Sequence, residues 1–186
     1  MSKKRRNILL AFIIPALLFY VVFWISPVLM SFYYGLTNWR GMGDFDIVGM
    51  KNYANLIKQG TLFNSMGNTI KYTLFVVIWG NIQALALAMI LNMKLKARGV
   101  FRTIFYIPAL FSTIVVAFLW SYVYAPHYGM ISEIFNLFGS SNAPNLLGSK
   151  ATSLFAAAFV ETWKTSGTMT IIYLAGLQNI SEEVIE

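Results

Sequence analysis

Two ionisable residues, Glu161 and Lys164, interrupt an apolar run from Leu154 to Ala175. Three positions apart on a helix is one face, and they sit roughly 10–15 Å along the axis from Leu154. A charge at that depth in a bilayer costs at least ~2.5–3.5 kcal/mol on insertion scales, so such side chains turn to a bundle interior or a watery cavity. Two chemistries fit. The pair neutralises itself and ties its helix to a neighbour, or Glu161, Trp163 and Lys164 line a solute path. On the second reading carboxylate and ammonium bond polar groups of the solute, and the indole stacks on an apolar face of it. Little else in the chain could do chemistry. It has no cysteine and one histidine, His127, which excludes disulfides, thiol catalysis and Cys- or His-rich metal sites. His127 reads as a solvated loop residue. There is no Gly-x-x-x-x-Gly-Lys-Ser/Thr phosphate loop, so the chain is not expected to hydrolyse ATP. No set of nucleophile and base suggests an enzyme, and no cofactor or metal is expected.

The elements that must hold these residues follow from composition. Hydrophobic residues make up 58% and charged residues 11%, with mean hydropathy +0.63; soluble domains carry about 25% charged residues. Charge-free stretches run from Asn7 to Trp39, Tyr72 to Met93 and Thr103 to Ser132. Each exceeds the ~20 residues a helix needs to cross the hydrocarbon core. Leu154–Ala175 makes a fourth candidate. Backbone in lipid must satisfy its own hydrogen bonds, so each run should be helical, and none alternates as a barrel strand would. The expected fold class is therefore an all-α integral membrane protein with four transmembrane helices.

Basic residues set the orientation. Lys3, Lys4, Arg5 and Arg6 precede the first span, and Lys94, Lys96, Arg98 and Arg102 fill the loop between spans two and three. The other loops dilute Arg40, Lys51, Lys58 and Lys150 with Asp44, Asp46 and Glu133. The positive-inside rule then puts the N-terminus and the second loop in the cytoplasm, and four crossings return residues 176–186 to that side. The net charge of +7 thus marks membrane flanks rather than a nucleic-acid surface. The first apolar run far exceeds a signal-peptide core and reads as an uncleaved anchor. Pro15 and Pro27 should kink it. The organisation expected is residues 1–36 as N-terminus and first span, 37–67 as an extracytoplasmic loop, and 68–186 with spans near 68–91, 103–125 and 154–175. Asn81 and Gln83 should bond between helices, Pro108 should kink the third span, and Trp120, Tyr122 and Tyr124 should approach the outer interface. Met130–Phe138 reads as a short interfacial helix.

The closing residues carry a resemblance. Leu174, Gly176, Leu177, Gln178, Ile180, Glu182 and Glu183 follow a Leu-x-Gly-Leu-Gln…Ile-Pro-Glu-Glu pattern, with Ser181 in place of Pro. Glu186 falls where a Glu-Ala-Ala motif begins. This resembles the cytoplasmic coupling loop of permease subunits in binding-protein-dependent ABC importers of the carbohydrate-uptake type. Gly99, Phe101, Arg102, Phe105, Pro108, Ser112, Trp120, Pro126 and Gly129 recur at similar spacing, as do Trp163 and Gly167, and Asn52-Tyr53 and Asn68-Thr69 earlier. The resemblance implies a partial type-1 importer transmembrane domain in a bacterial-type plasma membrane, cut at the start of its coupling loop and unable to transport alone. It implies as partners a second permease subunit, cytoplasmic ATP-binding cassette subunits and an extracytoplasmic solute-binding protein. Gly176, Leu177, Gln178, Ile180, Glu182, Glu183 and Glu186 would form the surface gripped by the ATPase, with Ser181 as a helix N-cap. An ion-gradient-driven carrier using Glu161 and Lys164 is the alternative.

Overall fold

A computed structural model describes residues 3–93, 96–140 and 143–180. The described residues are helical throughout, apart from loops and one isolated bridge between Thr37 and Ile47. They divide into two compact units, Met1–Ser65 and Met66–Glu186.

In the first unit, α1 (Lys3–Tyr20) carries Pro15 inside it and runs into a π-helical turn at Val21–Ile25, followed by α2 (Ser26–Gly35). The stretch Ala11–Gly35 is long and apolar enough to cross a membrane. The π turn has a local cause. Pro27 has no N–H and its ring crowds the carbonyl four residues back. The chain widens there, and the Ser26 N–H reaches the Val21 carbonyl instead. After α2 the Asn52 side chain donates to the carbonyls of Gly35 (2.9 Å) and Thr37 (2.8 Å), which the helix end leaves without partners. Tyr53 packs so closely that a Cβ on Gly35 would lie 2.5 Å from its hydroxyl. Asn52 and Tyr53 begin α3 (Lys51–Lys58), so in this structure the Asn-Tyr pair holds the loop together.

The second unit holds most of α4 (Thr61–Asn92), then α5 (Arg98–Leu110), α6 (Thr113–Val123), α7 (Met130–Leu137) and α8 (Ser153–Gln178). α4 is long and apolar enough to span. The single kinked helix expected over 103–125 is instead two helices, bent by 99°. The break does not fall at Pro108, which stays inside α5. It falls at Phe111 and Ser112, both extended, where the Ser112 hydroxyl accepts from the Val115 N–H (3.3 Å) and caps a new helix. α8, at 26 residues, is long enough to cross but falls short in apolarity.

α8 is the axis of this unit. Phe75 of α4 meets Phe155, Gly80 lies against Thr162 and Met169, and Ala88 and Leu91 pack with Leu174. On another side Phe105 and Tyr106 of α5 press on Gly167, while α6 places Thr113 at Lys164, Trp120 at Phe159 and Trp163, and Tyr124 at Ala156. The contacts progress in order, so the bent pair follows α8 from its C-terminal to its N-terminal end. Small residues make this possible. Ala158, Thr162, Ser166, Thr170 and Leu174, four apart, are all buried. Their hydroxyls bond back to their own helix: Thr162 to Phe159, Ser166 to Trp163, Thr170 to Ser166. The seam is therefore narrow and already satisfied, which lets backbones approach in lipid. Tyr124 has a partner that the sequence did not show. It is buried and donates to the Ala156 carbonyl (3.3 Å).

Candidate solute path and coupling end

Midway along α8 the ionisable residues separate. Lys164 Nζ donates to Thr113 Oγ1 (2.7 Å) at the first turn of α6, while Glu161 lies within electrostatic reach of Tyr72 on α4. Among the described residues the two form no ion pair, so the self-neutralising arrangement is not the one adopted. Trp163 lies between them in sequence. Its ring meets Trp120 edge to face at 5.4 Å, and it borders a cavity of about 500 Å³ with Gln83, Phe105, Pro108, Phe111 and Ser166. That volume is within the range of small-molecule sites, which are mostly apolar with a few placed polar groups. Here those groups are Gln83, whose buried Oε1 has no partner among the described residues, and Ser166. Asn81 meets its expectation of an interhelical bond, accepting from the Tyr173 hydroxyl; Gln83 does not. Of the three residues read from the sequence, only Trp163 lines this cavity. Lys164 works at the α5–α6 break instead.

At the C-terminal end of α8, Gln178 is the last helical residue. In the amide orientation that satisfies its neighbours, its oxygen accepts from the guanidinium groups of Arg98 and of Arg102, the latter at 3.1 Å. Leu177 packs beside Ala88, Leu91 and Leu174, whereas Gly176 and Ile180 are exposed. Glu182, Glu183 and Glu186 lie outside the described residues. Leu91, Arg102 and Gln178 thus bring the ends of α4, α5 and α8 together in one basic cluster.

A chain of a bacterial ABC transporter involved in import of the acidic polysaccharide alginate has the same fold, with TM-score 0.77 at 20% identity over 98% of this chain and 61% of that one. A second crystal structure, of a bacterial alginate ABC transporter in complex with an alginate pentasaccharide-bound periplasmic protein, gives TM-score 0.76 at 21% identity over 98% and 60%. No protein-family model matches. In sequence, 94% of the chain aligns at 34% identity with the trehalose/maltose transport system permease protein MalF of Thermococcus litoralis, over 59% of that protein. The chain is a homologue of sugar ABC transporter permeases. A second such relative, the multiple sugar-binding transport system permease protein MsmF of Streptococcus mutans, is 31% identical over 94% of the chain and 60% of its own length. This permease homologue therefore spans about three fifths of the relatives it matches. Sequence reasoning missed Thr113 and Trp120 as neighbours of its charged turn, because the break that brings α6 back to α8 has no signal beyond Ser112. It noted Gln83 as polar, without the cavity that gives it a role.

Proposed function

We propose that this permease homologue forms part of one membrane subunit of an ATP-driven importer of sugars or related polar solutes. The observation that carries the reading is the 34% identity to a trehalose/maltose permease along 94% of the chain. In the proposed assembly a second permease subunit completes the pathway, two cytoplasmic ATPases bind the segment beginning at Gly176, and an extracytoplasmic binding protein delivers solute. The last partner is supported by a structure of the same fold recorded with a solute-loaded periplasmic protein. The N-terminus and the Arg98–Arg102–Gln178 cluster lie in the cytoplasm on this reading, as the density of Lys and Arg there favours.

On this reading Trp163 and Gln83 line the solute path at the cavity they share, and Glu161 and Lys164, beside Trp163 on α8, extend it toward Tyr72 and Thr113. The chemistry is plain: an ammonium and a carboxylate at depth present opposite charges to a polyhydroxylated solute, and Trp163 and Trp120 offer apolar ring faces. On this reading ATP is hydrolysed by the partner subunits, through which the energy enters. The relatives favour this reading over an ion-gradient carrier. The test is uptake of labelled oligosaccharide by vesicles holding the full-length importer. Uptake should require ATP and binding protein and survive collapse of the ion gradient. Lys164→Met and Trp163→Ala should each lower uptake about tenfold, the loss of one good polar or stacking contact (~1.4 kcal/mol). Uptake abolished by an ionophore at full ATP would refute the proposal.

A further inference from the structure

The basic cluster at the end of α8 is oddly built for a passive anchor. Arg98 and Arg102 stand one turn apart at the start of α5, the positive end of that helix's dipole, where cations are disfavoured. They sit instead against the C-terminal end of α8, where cations are favoured. Both guanidinium groups converge on the neutral amide of Gln178. Both Nε atoms are buried and have no partner among the described residues. The hold on Gln178 therefore rests on the terminal nitrogens of the two guanidinium groups. The chain also enters α5 through Ala97 at φ +63°, a left-handed conformation that a residue with a Cβ adopts only under constraint. Further along, α5 and α8 meet at Gly167, where not even a methyl group fits between the backbones. α5 is thus held to α8 at two places: the side-chain clamp at Gln178 and the close crossing at Gly167. Beyond the second, α5 ends at the break of Phe111 and Ser112, beside Lys164 and Thr113.

We infer that Arg98 and Arg102 are positioning residues that clamp Gln178 and make α5 move with the ATPase-facing end of α8, so that displacement there reaches the break at Phe111–Ser112. The inference rests on the importer reading proposed above. Without the clamp, movement at the C-terminal end of α8 would pivot about the Gly167 crossing and leave the start of α5 behind; with the clamp closed the two helices swing together, and the turn between α5 and α6 takes up the angle next to the charged residues of the path. Arg suits the task because its planar fork holds a direction as well as a charge.

The experiment uses the full-length permease in its assembled importer and reads solute molecules moved per ATP hydrolysed. Gln178→Ala, and Arg98→Ala with Arg102→Ala, should lower that ratio about fivefold or more, the low end of coupling between distant sites. Gln178→Glu keeps an acceptor facing both guanidinium groups and should recover at least half of the ratio lost in Gln178→Ala. An unchanged ratio in Gln178→Ala overturns the clamp. So does a Gln178→Glu ratio as poor as that of Gln178→Ala, or loss of assembled complex with the ratio intact, which would make the cluster structural. If the unaltered importer shows no ATP-dependent uptake, the importer reading itself falls, and that result is distinct from the others.

Discussion

Gly167→Ala puts the α5–α8 crossing under the most direct load. The added Cβ would lie 2.3 Å from the Phe105 carbonyl oxygen, 2.7 Å from Tyr106 Cα and 2.9 Å from the Phe105 carbonyl carbon. Ordinary contact for a Cβ begins near 3.4 Å, so the helices must part by about 1 Å. All three obstacles are backbone, which cannot rotate aside. A gap of 0.5–1 Å forfeits roughly a quarter to a half of each dispersion contact along the seam. Overpacking of this kind costs about 1–3 kcal/mol, and the upper end is expected where packing drives helix association. Gly176→Ala, on the same helix with nothing within 4 Å, is the control. It should gain about 0.5–1 kcal/mol from the lower backbone entropy of Ala. The two variants should therefore differ by about 3 kcal/mol in SDS-induced unfolding of the full-length protein. Tryptophan fluorescence is a suitable signal, since Trp120 and Trp163 lie beside the seam. Equal unfolding midpoints for the two variants would refute the packing argument.

Other expectations follow from single contacts. Tyr124→Phe removes the buried bond to Ala156 and should cost about 1 kcal/mol in the same unfolding assay. Asn52→Ala leaves the carbonyls of Gly35 and Thr37 without their side-chain donor; amide exchange over residues 35–50 should rise about fivefold to thirtyfold, the equivalent of 1–2 kcal/mol. A double-mutant cycle on Asn81 and Tyr173 should return a coupling of about 0.6 kcal/mol and no more than about 1.7, the range for interhelical bonds in lipid.

What the sequence made legible was governed by long apolar runs. Ala11–Gly35 and Thr61–Asn92 emerge as long apolar helices because lipid leaves the backbone no other solution. The amphipathic stretch after Pro126 also forms its short helix, α7, although Ile134, Phe135 and Phe138 remain exposed and it is Ser132 that is buried, donating to the Pro126 carbonyl. The break in the third span was not legible. Pro108 attracted attention as a breaker, yet the decisive residue is Ser112, whose capping bond depends on a local extended conformation that composition does not reveal. The partner of Tyr124 was hidden for a related reason. An aromatic near a span end suits an interface, but the hydroxyl found a buried carbonyl that only the return of α8 supplies. The same holds for Glu161 and Lys164: their spacing put them on one face, and only the surrounding helices show that each turns to a different neighbour. Gly167 could be matched by pattern, while the backbone contact that demands it depends on the tertiary crossing.

The widened turn ahead of Pro27 divides the first membrane helix into two segments of different phase. One additional residue in a turn rotates everything after it by about 100° relative to a continuous α-helix. A stripe of side chains that starts on one flank in Phe12–Phe19 therefore resumes on another in Val28–Phe32. One rod can thus offer separate apolar flanks to two different neighbours, upper and lower, without bending far. Shortening the chain by one residue within Val21–Ile25 would straighten the register and swing one of those flanks away from whatever it covers.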